Sequence, residues 1–179
     1  MPTIHQRQLV AKSRLFHIEA LDLEFSNGEQ RQYERLASRG HGAVLIVPLL
    51  DDSTVLLIRE YAAGTEQYEL ALPKGKIEQG EAIFDAANRE MMEEVGYEAA
   101  QFTLLKTITL APNYLSHATH LVLAQQLSPH REMGDEPEPL DVVPWSLNRL
   151  PELVQQTDCT EARSLLALYL TQDYLQTQA

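Results

Sequence analysis

A helix with acidic side chains at its C-terminal end is the feature that most constrains this chain. The apolar residues of segment 82–95, AIFDAANREMMEEV, recur at i, i+4 spacing and form one stripe: Ile83, Ala87, Met91 and Val95. Phe84 is expected beside this stripe, and Gly96 is suited to end the helix. An amphipathic helix must bury its stripe against another layer, so the segment predicts a layered fold.

Three glutamates, Glu90, Glu93 and Glu94, lie in the last turn of this helix. Carboxylates there oppose the helix dipole by about 0.3–1 kcal/mol each, and like charges three or four residues apart repel by about 0.2–0.5 kcal/mol. One interpretation is a solvated acidic face on which Arg89 pairs with Glu93. The other is a set of oxygen ligands for Mg²⁺ or Mn²⁺. Because Glu90 and Glu94 fall at the edge of the apolar stripe, a solvated face is less expected here than on an ordinary acidic helix.

The segment before the helix, LPKGKIEQGE, combines glycines with lysines. Gly75 and Gly80 permit tight turns and close backbone approach, whereas Lys74 and Lys76 could contact phosphate. Alone, such a segment is typical of a surface loop. Next to an acidic helix end, it indicates a site where metal ions and phosphate meet.

The spacing from Gly75 to Tyr97 resembles the Nudix box. Every polar and glycine position of that signature is present: Gly75, Glu81, Arg89, Glu90, Glu93, Glu94 and Gly96. Tyr97 stands where the family usually has an aliphatic residue. The resemblance implies an α/β/α sandwich around a mixed β-sheet. It also implies metal-dependent hydrolysis of a nucleoside diphosphate linked to another moiety.

The same resemblance implies a role for each residue of the box. Glu90 and Glu94 would bind metal directly, and Glu93 would be a further ligand or a partner through water. Arg89 would hold the glutamates by charge-assisted hydrogen bonds, and Glu81 would bind Arg89 or a metal-bound water. Two or more Mg²⁺ or Mn²⁺ ions per site are expected.

A general base is expected outside the box. In similar enzymes that hydrolyse ADP-ribose, it is a glutamate on a loop before a late strand, and the matching segment here is MGDEPEPLDVV. Glu136 is the first candidate and Glu138 the second. A solvated acidic loop is the alternative, and the sequence leaves the choice open.

Residues downstream of the box bear on the substrate. Pro112 lies fifteen residues past Tyr97, a spacing that suggests ADP-ribose hydrolysis, and Tyr114 lies seventeen past it, which suggests dinucleoside polyphosphates. The ADP-ribose group often has an arginine where this chain has Ala62. These mixed markers resemble bacterial members that hydrolyse ADP-ribose, diadenosine triphosphate and NADH, with AMP as a product. The alternatives are a strict ADP-sugar pyrophosphatase, a dinucleoside polyphosphate hydrolase and a non-catalytic nucleotide-sensing module.

The first 40 residues contain a β-hairpin signal, LDLEF and EQRQYERLAS around the turn Asn27–Gly28. A hairpin is not stable alone, so it must pack on the main domain or on another chain. It resembles the segment through which ADP-ribose-type Nudix enzymes dimerise. We therefore expect a dimerisation segment at 1–40, a Nudix domain at 41–179 and a homodimer. Further substrate-binding candidates are Tyr33, Arg35, Arg39 and Arg59.

The remaining pattern predicts a mixture of strands and helices without regular βαβ alternation, which indicates an α+β or mixed-sheet α/β fold. Strands are expected at 43–50, 54–61, 102–110 and 117–127, and a short strand within 67–75 enters a loop. A further strand at 140–147 leads into a helix at Leu147–Gln156. A closing helix is expected at 160–176, with Thr160 as its cap.

Composition limits the function. A net charge of −12 repels phosphate backbones and argues against nucleic-acid binding, although a bound cation would still admit a small phosphorylated substrate. The longest apolar run, AVLIVPLL, is too short to span a bilayer, and the N-terminus lacks the apolar core of a signal peptide. A cytoplasmic protein without a membrane partner is expected, in which Cys159, the single cysteine, is a structural or surface thiol.

Overall fold

The N-terminal segment forms an antiparallel sheet of its own in the computed structural model, which describes residues 1–38 and 40–178. Its strands, in spatial order, are β1 (Thr3–Lys12), β2 (His17–Glu24) and β3 (Gln30–Leu36). The expected hairpin is β2 and β3, with Gly28 at φ 82° in the turn. The strand β1 was not expected, because its residues are exposed along their whole length and carry no burial pattern.

The N-terminal sheet is tied to the rest of the chain at the end of β3. The backbone N–H of Leu36 donates to the carbonyl of Tyr114 (2.7 Å), and the N–H of Ser116 donates back to the carbonyl of Leu36 (3.2 Å). The Ser116 hydroxyl oxygen also accepts from the N–H of Ser38 (2.8 Å). These hydrogen bonds set the N-terminal sheet beside the loop that carries Pro112 and Tyr114.

Two sheets make up the middle layer of the main domain. Their strands are β4 (Ala43–Pro48), β5 (Thr54–Ala62), β6 (Gln67–Ala71), β7 (Lys74–Lys76), β8 (Tyr97–Thr109), β9 (Ala118–Pro129) and β10 (Asp141–Ser146). One sheet has the order β7–β4–β9–β8 and is mixed, since β4 runs parallel to β9 and antiparallel to β7. The other has the order β10–β5–β6 and is antiparallel.

Helices cover both faces of this layer. Along β4, successive side chains point to opposite faces, so Val44 and Ile46 pack with the first helix whereas Leu45 and Val47 pack with the others. All four are fully buried. The predicted α/β/α sandwich around a mixed sheet is confirmed. The helices are α1 (Ile83–Glu94), α2 (Leu150–Leu153) and α3 (Ala162–Gln178).

The buried face of α1 agrees only in part with the expected stripe. Ala87, Met91 and Val95 are buried as expected. Phe84 is exposed, and its ring stacks on Phe102 with a centroid distance of 5.7 Å. Ala86 and Glu94 are buried instead. The helix is therefore turned so that the carboxylate of Glu94 points into the protein.

Several expected boundaries were wrong. Residues 74–76 form the strand β7 instead of a loop, with Gly75 opposite Val44 of β4. β8 begins at Tyr97, directly after α1, instead of at position 102. The helix expected at Leu147–Gln156 is a 3₁₀ turn followed by the short helix α2, which ends at Leu153.

The cap of the closing helix is Glu161 instead of Thr160. The Glu161 Oε2 atom accepts from the backbone N–H of Ser164 (2.8 Å), which is the hydrogen bond of an N-cap. The Thr160 hydroxyl donates to the carboxylate of Glu69 (2.9 Å). Cys159 beside it is buried, and burial raises the pKa of its thiol to about 11, so this thiol is structural and unreactive. Among residues 1–38 and 40–178, no helix is long and apolar enough to cross a membrane.

Candidate active site

A cleft of about 880 Å³ lies between β7, the C-terminal half of α1 and the loop that follows β9. Within the described part of the chain, its lining contains seven carboxylates and three cationic side chains. An uncompensated excess of negative charge would repel a pyrophosphate, so a phosphorylated ligand needs cations here. The charged lining residues are Glu60, Glu78, Glu90, Glu93, Glu94, Asp135, Glu136, Lys74, Lys76 and Arg89.

Glu94 is the most buried of these carboxylates. It is 4% exposed, and its Oε2 atom accepts a hydrogen bond from the backbone N–H of Lys74 (2.9 Å). Burial raises the pKa of Glu94 to about 8, although the Lys74 ammonium and this hydrogen bond oppose the rise. A cation bound next to Glu94 would favour its charged form and so offset the cost of ionising a buried carboxyl.

Gly75 makes room for Glu90. A Cβ atom at position 75 would lie 1.8 Å from the Glu90 Cδ atom and 1.9 Å from its Oε1 atom. Only a residue without a side chain permits this approach, which is the physical reason for a glycine in β7. Burial raises the pKa of Glu90, against the lowering effect of its partner Arg89.

Arg89 connects the glutamates of the box. Its guanidinium donates to both carboxylate oxygens of Glu81 (2.9 and 3.1 Å), to Glu90 (2.8 Å) and to Glu93 (3.3 Å). It also donates to the backbone carbonyl of Lys76 (3.0 Å). The hydrogen bonds from Arg89 lower the pKa of Glu81. Arg89 is thus hydrogen-bonded to Glu81, Glu90 and Glu93, and the holding role that the Nudix resemblance implies for it stays a prediction.

The carboxylate oxygens in the cleft are of the type that binds a divalent cation, but Glu90 and Glu93 are paired with Arg89. Carboxylate oxygens are the ligands that Mg²⁺ and Mn²⁺ prefer, and Glu90, Glu93 and Glu94 supply them from one helix end. No three acidic, histidine or cysteine side chains in residues 1–38 and 40–178 converge closely enough to hold an ion as they stand. Glu90 and Glu93 are both paired with Arg89, so we expect these side chains to turn when they bind a metal ion.

The two base candidates have different surroundings. Glu136 lines the cleft, and its pKa is raised by burial and further by the nearby charges of Glu60 and Asp135. Glu138 lies in the adjoining groove, where its Oε1 atom accepts a hydrogen bond from the Tyr68 hydroxyl (2.6 Å). Of the two, Glu136 is the carboxylate that the structure brings to the box glutamates.

Glu60 and Arg131 were not among the expected site residues. Glu60 follows Ile58 on the same face of β5 and forms an ion pair with Lys74. A charged residue at a core-facing position of a strand was the signal that could have identified it. Arg131 donates to the backbone carbonyls of Glu93 and Val95 (both 3.3 Å), and the sequence carries no local signal for such a contact.

Other predicted residues lie away from this cleft. Pro112, Tyr114, Tyr33 and Arg35 line a second cleft of about 710 Å³ between the N-terminal sheet and the loop after β8. The structure therefore brings the two substrate markers together with the N-terminal sheet instead of with the glutamates. Arg59 forms an ion pair with Asp158. Arg39 lies outside the residues that the structure describes.

Two family models match separate parts of the chain. A family model described as "NUDIX domain" matches residues 39–168. The chain belongs to the Nudix hydrolases. A second model, described as "NudE-type Nudix hydrolase N-terminal domain", matches residues 2–35 of this Nudix hydrolase.

Individual relatives match almost the whole chain. The "ADP compounds hydrolase NudE" of Escherichia coli is 49% identical over 177 residues, which cover 99% of this chain and 95% of the relative. The "ADP-ribose pyrophosphatase" of Bacillus subtilis is 27% identical over 174 residues, 93% of each chain. A solved structure titled "Crystal structure of ADP compounds hydrolase" superposes with a TM-score of 0.92 at 49% identity and covers 99% of this chain and 96% of its own. The prediction of a Nudix hydrolase is confirmed.

Proposed function

We propose that this Nudix hydrolase cleaves the pyrophosphate linkage of ADP-containing compounds and releases AMP together with the phosphorylated partner. The observation that carries the proposal is the assembly of Glu90, Glu93, Glu94 and Glu136 in one cleft of a chain similar over almost its full length to a hydrolase of ADP compounds. ADP-ribose, diadenosine triphosphate and NADH are the expected substrates.

The residues of the cleft divide the work of the reaction. Glu90, Glu93 and Glu94 would hold divalent cations, which supply charge neutralisation of the pyrophosphate and a lowered pKa of the attacking water. Mg²⁺ or Mn²⁺ and a count of two or more ions remain predictions. Lys74 and Lys76 add positive charge for the substrate phosphates at the edge of β7.

Glu136 acts as the general base in this proposal. It accepts a proton from the water whose oxygen attacks one phosphorus of the linkage. The bond between that phosphorus and the bridging oxygen then breaks, and the departing phosphate keeps the electron pair. The raised pKa of Glu136 supports the assignment, because a base works best when its pKa lies near the operating pH.

Comparing Glu136→Gln with Glu138→Gln tests the assignment of the base. We expect Glu136→Gln to lower kcat by about 100-fold or more, the usual contribution of general base catalysis. Glu138→Gln should retain most of the activity, because its hydrogen bond with Tyr68 lies in the adjoining groove. Equal, near-wild-type rates in both variants would reject both candidates, and loss in Glu138→Gln alone would reverse the assignment.

The N-terminal sheet supports a homodimer in this proposal. All of β1 is exposed, and its apolar residues Ile4, Leu9 and Val10 would be covered by a second copy. The cleft that contains Tyr33, Arg35 and Tyr114 would then contribute to binding of the adenosine part. A cytoplasmic location belongs to the same proposal and stays a prediction.

A substrate panel with product identification tests the activity. ADP-ribose, diadenosine triphosphate, NADH, NAD⁺, ADP-glucose and a capped RNA are incubated with the protein in Mg²⁺, and the products are separated by chromatography. We expect AMP from the first three and none after EDTA treatment. Hydrolysis of ADP-sugars alone would favour a strict ADP-sugar pyrophosphatase, and hydrolysis of diadenosine compounds alone would favour a dinucleoside polyphosphate hydrolase. Nucleotide binding without any product would indicate a sensing module.

A further inference from the structure

The loop that carries Glu136 begins against the C-terminal end of α1. The backbone N–H of His130 donates to the carbonyl of Gly96 (3.0 Å), and the N–H of Glu132 donates to the carbonyl of Met92 (3.2 Å). The last carbonyls of a helix have no partner within the helix, so side chains, water or a neighbouring segment must satisfy them. Residues 130–132 do this for the helix end that carries the box glutamates.

Arg131 completes this contact with its side chain. Its Nη1 atom donates to the carbonyl of Glu93 and its Nη2 atom to the carbonyl of Val95, both at 3.3 Å. The last turn of α1 contains no basic residue of its own, so Arg131 brings a cation to the negative end of the helix dipole. Both described hydrogen bonds of the guanidinium are made to backbone carbonyls, so Arg131 links the loop to the end of α1.

The chain runs from Arg131 over a few residues to Glu136, the proposed base. Gly134 packs so closely on α1 that a Cβ atom there would lie 3.3 Å from the Glu93 Cβ atom. Residues 133–136 then line the cleft, and the Tyr68–Glu138 hydrogen bond holds the far side of the loop. The position of Glu136 relative to the box glutamates is thus set by anchors on both sides.

We propose that Arg131 is a positioning residue that fixes the distance between the base Glu136 and the metal-binding end of α1. The inference rests on the proposed function, since it assigns Arg131 a role in the same reaction. Two separate donors of one planar group span two carbonyls, a geometry that a lysine ammonium reproduces only in part. Arg131 acts through Glu136, so its loss should affect the chemical step more than substrate or metal binding.

The test is a double-mutant cycle of Arg131→Ala and Glu136→Gln, assayed for kcat, KM and the Mg²⁺ concentration of half-maximal activity. Arg131→Ala should lower kcat about 10- to 100-fold, because misplacement of a catalytic group by about 1 Å can cost two orders of magnitude. KM and the Mg²⁺ dependence should change little. The double variant should be no slower than Glu136→Gln alone, because the arginine has no base left to position.

Controls separate positioning from loss of fold. Arg149→Ala removes another exposed arginine, one that pairs with Glu152 away from the cleft, and should keep the wild-type kcat. Arg131→Lys should recover part of the activity. Guanidinium chloride at tens of millimolar should raise kcat of Arg131→Ala, whereas sodium chloride at the same ionic strength should not, and melting temperatures confirm that each variant is folded.

The outcomes distinguish the inference from the proposed function. Wild-type kcat in Arg131→Ala, beside an impaired Glu136→Gln, would overturn the inference alone. Losses that multiply in the double variant, or an effect confined to the Mg²⁺ dependence, would also overturn it, because Arg131 would then act on the helix end and not on the base. Wild-type kcat in Glu136→Gln would instead reject the base assignment and, with it, the route by which Arg131 acts.

Discussion

Replacing Gly75 with alanine tests how closely β7 and α1 must approach for activity. The new Cβ atom would lie 1.8 Å from the Glu90 Cδ atom, whereas ordinary contact begins at 3.4 Å. The carboxylate must therefore retreat by the difference, about 1.6 Å. The backbone of Gly75 lies outside the left-handed region, so alanine itself fits without strain and the displacement falls on Glu90.

The displacement should cost much activity and little stability. Glu90 would lose its 2.8 Å hydrogen bond from Arg89, and a hydrogen bond to a charged group contributes about 1.5–3 kcal/mol. Replacing glycine with alanine also stabilises the folded state by about 0.4–1 kcal/mol, because it reduces the conformational entropy of the unfolded chain. The net loss of about 0.5–2.6 kcal/mol corresponds to a melting temperature about 1–10 °C lower for a domain of this size. Activity should fall about 100-fold, because the displacement exceeds 1 Å at a reacting site.

The assay is the initial rate of AMP release from ADP-ribose over a series of Mg²⁺ concentrations, together with thermal unfolding. Gly64→Ala is the matched control, because a Cβ atom there meets nothing within 4 Å and the backbone is not left-handed. It should keep wild-type activity. If a folded Gly75→Ala variant had the wild-type kcat and Mg²⁺ dependence, activity would not require Glu90 to lie close against β7. That result would refute the proposed role of this close approach.

Three further predictions concern buried carboxylates and metal. Glu94→Gln keeps an acceptor for the Lys74 N–H, so it should fold normally and lose about 100-fold or more in kcat, since metal ions contribute several kcal/mol to such reactions. Burial raises the pKa of Glu94 in the folded protein to about 8, so ionising this carboxyl destabilises the fold. In EDTA, the wild-type protein should therefore become less stable than Glu94→Gln as the pH rises from 4.5 through 8. Equal urea midpoints of the two proteins across that range would contradict this. Mg²⁺ at about 100 times its dissociation constant should raise the melting temperature by about 5–10 °C, reversibly with EDTA, and an unchanged melting temperature at saturation would count against a metal site on α1. Glu69→Gln should cost about 1–3 kcal/mol at pH 7, because Glu69 is buried and accepts from Gln67 and Thr160. The hydrogen bond from Gln67, followed by those from Thr160, lowers the pKa of Glu69. The stabilisation of the fold by ionised Glu69 is therefore present above pH 4.5 and is lost as the pH falls below that value. If urea denaturation showed that Glu69→Gln is still destabilised at low pH, this account would be refuted.

Local sequence patterns predicted the parts of the fold whose information is local. The helix from Ile83 to Glu94 follows from its apolar spacing and from Gly96 behind it, and the buried strands β4 and β5 follow from their apolar runs. The hairpin β2–β3 follows from its turn residues. The strand β1 did not follow, because a fully exposed strand is stabilised by pairing with β2 and leaves no alternation in its own sequence.

The box shows the same distinction at the level of the site. Its residues lie within one continuous segment, so the resemblance of that segment to the Nudix box implied that Glu90, Glu93, Glu94 and Arg89 act together. The structure agrees on the Arg89 contacts and adds that Glu94 is the buried member, which depends on how α1 is rotated against the sheet. Helical periodicity located Glu90 and Glu94 at the edge of the stripe, but only packing decides which of them loses contact with water.

The sequence by itself determined the family, the helix and the chemical character of the site, because all three are written in residues close together along the chain. The tertiary structure decided which distant residues complete that site. Glu60 and Glu136 reach the cleft from β5 and from the loop after β9. Arg131 of the same loop contacts the end of α1, and Pro112 and Tyr114 join the N-terminal sheet instead. Such neighbours are set by sheet order and by contacts between segments far apart in sequence, and no local spacing encodes those distances.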